Sequence, residues 1–392
     1  MRHLWSSTML LTLAASGQVW TPLPDFPGTP RDDAASFSTI AQVYVGTGMD
    51  AGFQLTNDWY VYNVGDGWQA IAPLPANGRQ YASGFTLTGL GPNGGYLFGG
   101  LDANGPLDEL WQYNAQLDEW TPLAPLPAPG RYACAVIATT DFAYVCGGLL
   151  AGGVPTNEVW RYDRATDSWS PRADLPGPAR HRAAAMDLMV IGGADSSYQA
   201  LSDVYRYDPD ADQWEQELDL PAPRYGAKCA GSYLLCGASS TSQFHNDVWT
   251  YEVIDWDATL VPPFTGGPRK GGVAAYVWPT SESDAILFGL GTDGNSRFND
   301  WWMVEFYTGV EEHHGATTTV FPNPASTELT PVRPADWMSG SFAIHDATGR
   351  KVLGGTLQRE VPLDVRCLAP GRYGLRMDHE GRTLRAFFIK LP

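Results

Sequence analysis

A chain of 392 residues is long enough for two or three ordinary domains, and its 43 glycines, 30 prolines and 17% charged residues suit many short strands joined by tight turns. The formal net charge is −18 and unevenly spread: residues 18–316 carry 14 Lys and Arg against 36 Asp and Glu, hence −22, whereas 317–392 carry 10 against 7, hence +3. Such negative charge repels phosphate backbones and excludes nucleic acid as a partner, and no segment after the N-terminus approaches the ~18 continuous apolar residues of a transmembrane helix.

Residues 1–17 have the layout of a signal peptide. Arg2 supplies a positive start, Met9 to Ala15 an apolar stretch, and Ala15-Ser16-Gly17 small residues for cleavage before Gln18. From Trp20 onward a cassette of about 45 to 50 residues recurs six times, and repetition at this period decides the fold class. An arginine opens each cassette: Arg31, Arg79, Arg131, Arg180, Arg224 and Arg269. Glycines follow, as Gly99-Gly100, Gly147-Gly148, Gly192-Gly193 and Gly289-Leu290-Gly291. Then comes an acid before aromatics, as in Asn57-Asp58-Trp59-Tyr60, Asp108-Glu109-Leu110-Trp111, Asn157-Glu158-Val159-Trp160 and Asn299-Asp300-Trp301-Trp302.

In the third cassette, Tyr132 to Thr139, Phe142 to Cys146, Glu158 to Tyr162 and Ser168 to Arg172 read as four strands of one antiparallel sheet, closed by Leu175-Pro176. The fifth cassette departs: Gly237-Ala238 replaces the doublet and Trp256 falls unusually close to Tyr251, which leaves its outer strand open to doubt. The sixth has three strands but no following tryptophan. Trp20-Thr21-Pro22-Leu23-Pro24 matches Trp120-Thr121-Pro122-Leu123, so an N-terminal strand is expected to complete the last sheet and remove both open ends. The expected fold is all-β, a six-bladed β-propeller over 18–309 closed by that strand.

Five cysteines cannot all pair. Cys134 and Cys146 lie symmetrically about Thr140, and Cys229 and Cys236 bracket the corresponding hairpin two cassettes later. Each pair is a candidate disulfide, the alternative being small buried apolar residues, and Cys367 is left over. After a linker at 310–316 the repeat vanishes. Phe321-Pro322-Asn323-Pro324, a strand at Ser341 to His345, a turn at Asp346 to Gly349, a return through Lys351 to Leu353, and alternating Tyr373, Leu375 and Met377 describe a small antiparallel, immunoglobulin-like β-sandwich over 317–392.

The repeated arginine, glycine doublet and spaced Tyr and Trp from about Trp20 to Gly309 resemble the kelch repeat. The ordered motifs of 317–392 resemble the type A C-terminal sorting domain of the type IX secretion system of Bacteroidetes. That resemblance implies export through the periplasm to the outer-membrane surface or medium, with the secretion machinery as partner.

By resemblance to kelch propellers, the arginines are candidates to line a pocket at the channel mouth, where a guanidinium fork suits carboxylates or sugar hydroxyls. Recurrence in every cassette is equally what a scaffold residue shows. Tyr81, Tyr132, Tyr225 and His181, one or two positions after an arginine, are candidates to stack on a ligand or to pack at the mouth. His181 and His245 have no short ligand spacing, the run Asp208 to Asp212 lacks the glycine of a calcium loop, and no metal or cofactor is assigned. No catalytic residue stands out. Kelch copper oxidases carry a Tyr-His pair that is absent here. The reading is non-catalytic recognition of a glycan or protein, with a carbohydrate-active enzyme of the kelch sialic acid mutarotase or epimerase type as the alternative, and a structural surface component as a second.

Overall fold

The computed structural model describes residues 18–39, 41–87, 94–252, 255–258, 261–280, 283–307, 320–323, 325–333, 337, 339–345, 351–358, 361–379 and 382–391. The expected signal peptide at 1–17, the linker at 310–316 and the turn at 346–349 lie outside these residues. The chain divides into two compact units, 1–308 and 309–392.

Alternating small residues after each arginine form the first strand of a four-stranded antiparallel sheet, and unit one contains six such sheets among the described residues. Their first strands are Ala35–Ser38, Ser83–Phe85, Ala135–Ala138, Ala184–Met186, Lys228–Ala230 and Val273–Thr280. In the third sheet this strand is followed by Phe142–Cys146, Val159–Asp163 and Ser168–Arg172, as the alternation predicts. The fifth sheet has its outer strand after all: Asp255–Asp257 pairs with Val248–Glu252, and Trp256 is buried. The sixth comprises Val273–Thr280, Ser283–Gly289 and Trp301–Tyr307, to which Thr21–Leu23 adds the fourth strand in the register Thr21↔Met303 and Leu23↔Trp301. Each first strand packs against the next, and Val273–Thr280 packs against Ala35–Ser38, so the succession returns to its start.

Three cycles of hydrogen bonds join the sheets. The residue two beyond each arginine (Asp33, Tyr81, Ala133, Arg182, Gly226 and Gly271) has φ between 53° and 66°. Its N–H donates to the carbonyl of the equivalent residue one cassette earlier, with Asp33 donating to Gly271, at 2.8 to 3.1 Å. Four of these six are not glycine, and the cycle holds each of them in the left-handed region. In the second cycle the glycine ending each doublet donates to the carbonyl of the next cassette's arginine, from Gly48 to Arg79 onward until Gly291 reaches Arg31. A Cβ on that glycine would meet neighbouring backbone, as at Gly48, where it would lie 2.9 Å from the Asp32 carbonyl oxygen.

This cycle corrects the reading of the glycines. The doublets of sheets one, five and six are Thr47-Gly48, Cys236-Gly237 and Leu290-Gly291, whose first residues take φ of 58°, 60° and 56°. The second position is glycine in all six, whereas the first also takes Thr, Cys or Leu, although at Gly99, Gly147 and Gly192 an added Cβ would lie 2.5 to 2.7 Å from a neighbouring carbonyl oxygen. In the third cycle a tryptophan Nε1 of every sheet donates to a carbonyl in the segment that follows the preceding sheet's outer strand. Trp68 thus bonds Pro24, Trp120 Ala72, Trp169 Ala124, Trp214 Ala173, Trp256 Leu218 and Trp20 Pro262.

The five cysteines are free thiols. Ala135, not Cys134, stands opposite Cys146, and Leu234, not Cys236, stands opposite Cys229. The symmetric count was one residue off for Cys134, which in a strand turns a side chain to the other face, and two residues off for Cys236, which keeps the face but not the pairing. Burial pushes the Cys134 thiol up to about 12, as expected of an inert residue. The run Asp208 to Asp212 is a turn, with Asp208 Oδ1 accepting from the amides of Asp210 and Ala211.

In unit two, Lys351–Gln358, Ser339–His345, Gly371–His379 and Arg382–Lys390 form one antiparallel sheet in that order, and Val320–Phe321, Glu328–Pro331 and Leu363–Asp364 another. Leu329, Trp337, Ile344, Leu375, Met377 and Phe388 form its core, on the alternation read from the sequence.

Candidate ligand-binding site

The six recurring arginines are buried, each 0 to 2% exposed, and each meets the acid of its own cassette. Asp58, Asp203, Asp247 and Asp300 take both ends of a guanidinium fork, from Arg31, Arg180, Arg224 and Arg269. Glu109 and Glu158 accept single bonds from Arg79 and Arg131 at 2.7 and 2.8 Å. All except Arg131 also donate to the carbonyl of the first doublet residue, as Arg180 does to Gly192 at 3.1 Å. These donors are committed to holding strands together, and a ligand at the channel mouth meets other residues.

Those residues sit one and two positions beyond the arginines, where the cassettes differ. Arg182 lies at the centre. Its Nη2 donates to Tyr81 Oη at 2.5 Å, and its guanidinium carbon stands 4.5 Å from the centre of the Tyr81 ring. Tyr132 stacks obliquely on Tyr81 at 5.8 Å, and the Asp33 carboxylate and the hydroxyls of Tyr198 and Tyr225 act on Arg182 electrostatically. Lys270 Nζ lies 5.1 Å from the Tyr225 ring centre and 5.7 Å from that of Phe244. At the edge, Asp32 accepts from Arg297 Nε at 2.5 Å, and Arg297 covers Phe53 at 4.8 Å.

Of the residues singled out in the sequence, Tyr81 and Tyr132 are half-buried and open to a ligand, whereas Tyr225 and His181 are each 1% exposed and form walls. The recurrent arginine column hid Arg182, Tyr198, Lys270, Asp32 and Asp33. Tyr198 and Phe53, 50% and 71% exposed, stand at tips of two similar loops with φ of 58° and 60°. Asp195 Oδ1 fixes the first by accepting from the amides of Ser197 and Gln199, and Asp50 Oδ1 the second through Gly52 and Gln54. Bulky residues held in this region mark a surface shaped in advance.

Asp32 and His181 carry opposed pH dependences. Burial first, and the Asp33 charge second, raise Asp32 to about 6, although Arg297 pulls the other way. Burial first, and Arg182 second, lower His181 to about 4. Between about pH 4 and 6 the folded protein keeps a proton on Asp32 that the unfolded chain has released, so this contribution to stability falls as pH rises. Over about pH 4 to 6.5 the folded protein lacks a proton on His181 that the unfolded chain binds, so that contribution rises. Relative to wild type, Asp32→Asn is expected to steepen the gain of stability with rising pH by roughly 1 to 3 kcal/mol across this window, and His181→Gln to flatten it by a similar amount. Urea denaturation at pH 4.5, 5.5 and 6.5 checks this. Both variants running parallel to wild type would remove the assignment.

Among the described residues no three His, Cys, Asp or Glu side chains converge as a metal site, and the mouth presents aromatic faces, hydroxyls and cations instead. Such a set binds a polar, ring-shaped or anionic partner by stacking and charge-assisted hydrogen bonds.

Sheets two to four carry the family signature directly: residues 96–127, 130–176 and 187–217 match the Kelch motif. The chain therefore carries Kelch repeats and has a Kelch β-propeller fold. Kelch-like protein 21 of Rattus norvegicus is 29% identical over 106 residues, 26% of this chain and 17% of the relative, and the proteins of Bos taurus and Mus musculus match equally. The chain thus spans about a sixth of the length of these relatives. Among solved structures, that titled "Structure of YjhT" superposes with a TM-score of 0.60 at 18% identity, over 79% of this chain and 99% of that one, a likeness of fold alone.

Proposed function

We propose that residues 18–309 are a six-bladed Kelch propeller closed by the Thr21–Leu23 strand, and that it recognises a glycan or a protein, without catalysis, on the loop face around Arg182. The observation carrying this reading is the gathering of Tyr81, Tyr132, Tyr198 and Lys270 about one guanidinium at the channel mouth. Tyrosine rings stack on sugar faces while the cations bind carboxylate or hydroxyl groups. The propeller acts outside the cell in this proposal. Residues 1–17 direct it to the periplasm, and 317–392, an immunoglobulin-like module after the linker at 310–316, engage the type IX secretion machinery, leaving it secreted or attached to the outer-membrane surface.

Arg182→Gln keeps a side chain able to pack while removing the charge. It is expected to weaken the bound glycan found by array screening of residues 18–309 about 10- to 100-fold, the worth of a charge-assisted hydrogen bond, with unchanged circular dichroism. An array showing no specific glycan, together with no protein captured by the wild type but lost by Arg182→Gln, would sink the proposal. The rival is a carbohydrate-active enzyme of the mutarotase or epimerase type, and Asp32 favours it, since a carboxyl near 6 is poised to exchange protons near neutrality. NMR of the bound sugar separates the two: anomeric or epimeric conversion abolished in Asp32→Asn supports the enzyme.

A further inference from the structure

Behind the innermost cycle of hydrogen bonds, away from the loop face, the channel widens into a cavity of about 330 Å³. Asp33, Tyr81 and Arg182 stand at its head, and its walls are mainly alanine, glycine and serine, including Ser36 and Ser83. Tyr132, His181, Tyr225 and Lys270 line none of it.

One wall residue breaks the pattern. Four positions beyond the arginines stand Ala35, Ser83, Ala135, Ala184, Lys228 and Val273. Residues 18–316 contain only two lysines, Lys228 and Lys270, and both are within electrostatic reach of Asp33. The Lys228 side chain is half-buried by area yet enclosed by the channel walls, and burial pushes its ammonium below the ordinary lysine range. Among the described residues its Nζ has no hydrogen-bond or ion-pair partner, while Arg182 Nε is buried with none. Two cations and one carboxylate therefore face the cavity, leaving one positive charge without an answer in a segment whose net charge is −22.

We propose that this cavity binds a small monocarboxylate, its carboxylate between Lys228 and Arg182 and its short apolar body against the alanine walls. A single excess charge matches a monoanion. A phosphate site would draw on free backbone amides, and here the amides of the innermost cycle are bonded to one another. The lone ammonium and the unused guanidinium N–H are charge-assisted donors to the two carboxylate oxygens, and Ser36 and Ser83 flank them.

The test is calorimetric titration of the full chain with butyrate and with inorganic phosphate at pH 7. Butyrate is expected to bind more tightly than phosphate, and Lys228→Met, close to lysine in volume, to weaken butyrate at least tenfold. Butyrate should also raise the melting temperature of wild type but not of Lys228→Met. A wild type that ignores butyrate, a preference for phosphate, or a folded Lys228→Met that binds butyrate undiminished would overturn the proposal. If Lys228→Met does not fold, reductive ¹³C-methylation of the wild type gives the answer: the Lys228 resonance should shift on adding butyrate, and an unmoved resonance would be decisive against it. Butyrate occupies the channel and a glycan the loop face, so either assay can fail while the other succeeds.

Discussion

Arg180→Ala is expected to lower the stability of the protein by about 3 to 5 kcal/mol, the cost of stranding one member of a buried ion pair. Arg180 is 1% exposed and the Asp203 side chain 18%. The guanidinium takes both carboxylate oxygens at 2.6 and 2.7 Å and also donates to the carbonyls of Gly192, Pro176 and Pro178. Removing it leaves Asp203 beside the desolvated ends of three chain segments. Arg180→Lys is expected to recover less than half of the loss, because an ammonium cannot fork across two oxygens while reaching the carbonyls. Urea denaturation with an unchanged slope gives the number. A loss below about 1 kcal/mol would place the pair among surface ion pairs and contradict the scaffold role assigned to all six arginines.

Trp20→Ala is the second large effect, at about 3 to 5 kcal/mol. Trp20 is 3% exposed, meets Phe264 edge-on at 5.0 Å, and donates from Nε1 to Pro262 at 2.9 Å, so its loss opens a cavity and breaks one of the six tryptophan links. Removing the chain through Pro24 should do more. It uncovers the edge of Trp301–Tyr307, and an uncovered edge recruits another strand. Size-exclusion chromatography should show the truncated protein self-associating. A monomeric truncated protein melting at the wild-type temperature would show that the sixth sheet does not need this strand.

The sequence made the architecture legible because every cassette repeats the same physical requirements. Arginine needs its acid, the second doublet position needs glycine, and the outer tryptophan needs a carbonyl on the neighbouring sheet. Even the sixth sheet's missing strand was readable from Trp20-Thr21-Pro22, since its partner repeats showed what was absent. Irregularities misled. Gly237-Ala238 looked like a damaged doublet, yet the pair is Cys236-Gly237, and Cys236 meets the positive-φ demand of the first position at 60°.

The binding face was harder to see for the same reason. Recurrence drew attention to the arginines, which are uniform because they serve the scaffold. Arg182 stood two residues from Arg180 and was hidden by it, and Lys228 lay in a strand otherwise built of small residues. The useful signal was disagreement among aligned positions: Asp33, Tyr81, Ala133, Arg182, Gly226 and Gly271 share one backbone conformation but not one chemistry. Tyr198 carried no such mark, because its loop brings it to Arg182 from outside the aligned columns.

The fourth strand of the sixth sheet also sets a clock. Trp20 bonds Pro262, which follows it by 242 positions, and Thr21 faces Met303. At about 5 to 20 residues per second, ribosomal synthesis leaves the first strand waiting roughly 10 to 60 s for the chain that will cover it. During that wait a large aromatic side chain and an unpaired backbone edge are open to chaperones or to neighbouring copies. The sixth sheet therefore determines when the earliest-made segment becomes safe, so its completion waits until more than three quarters of the chain has been made.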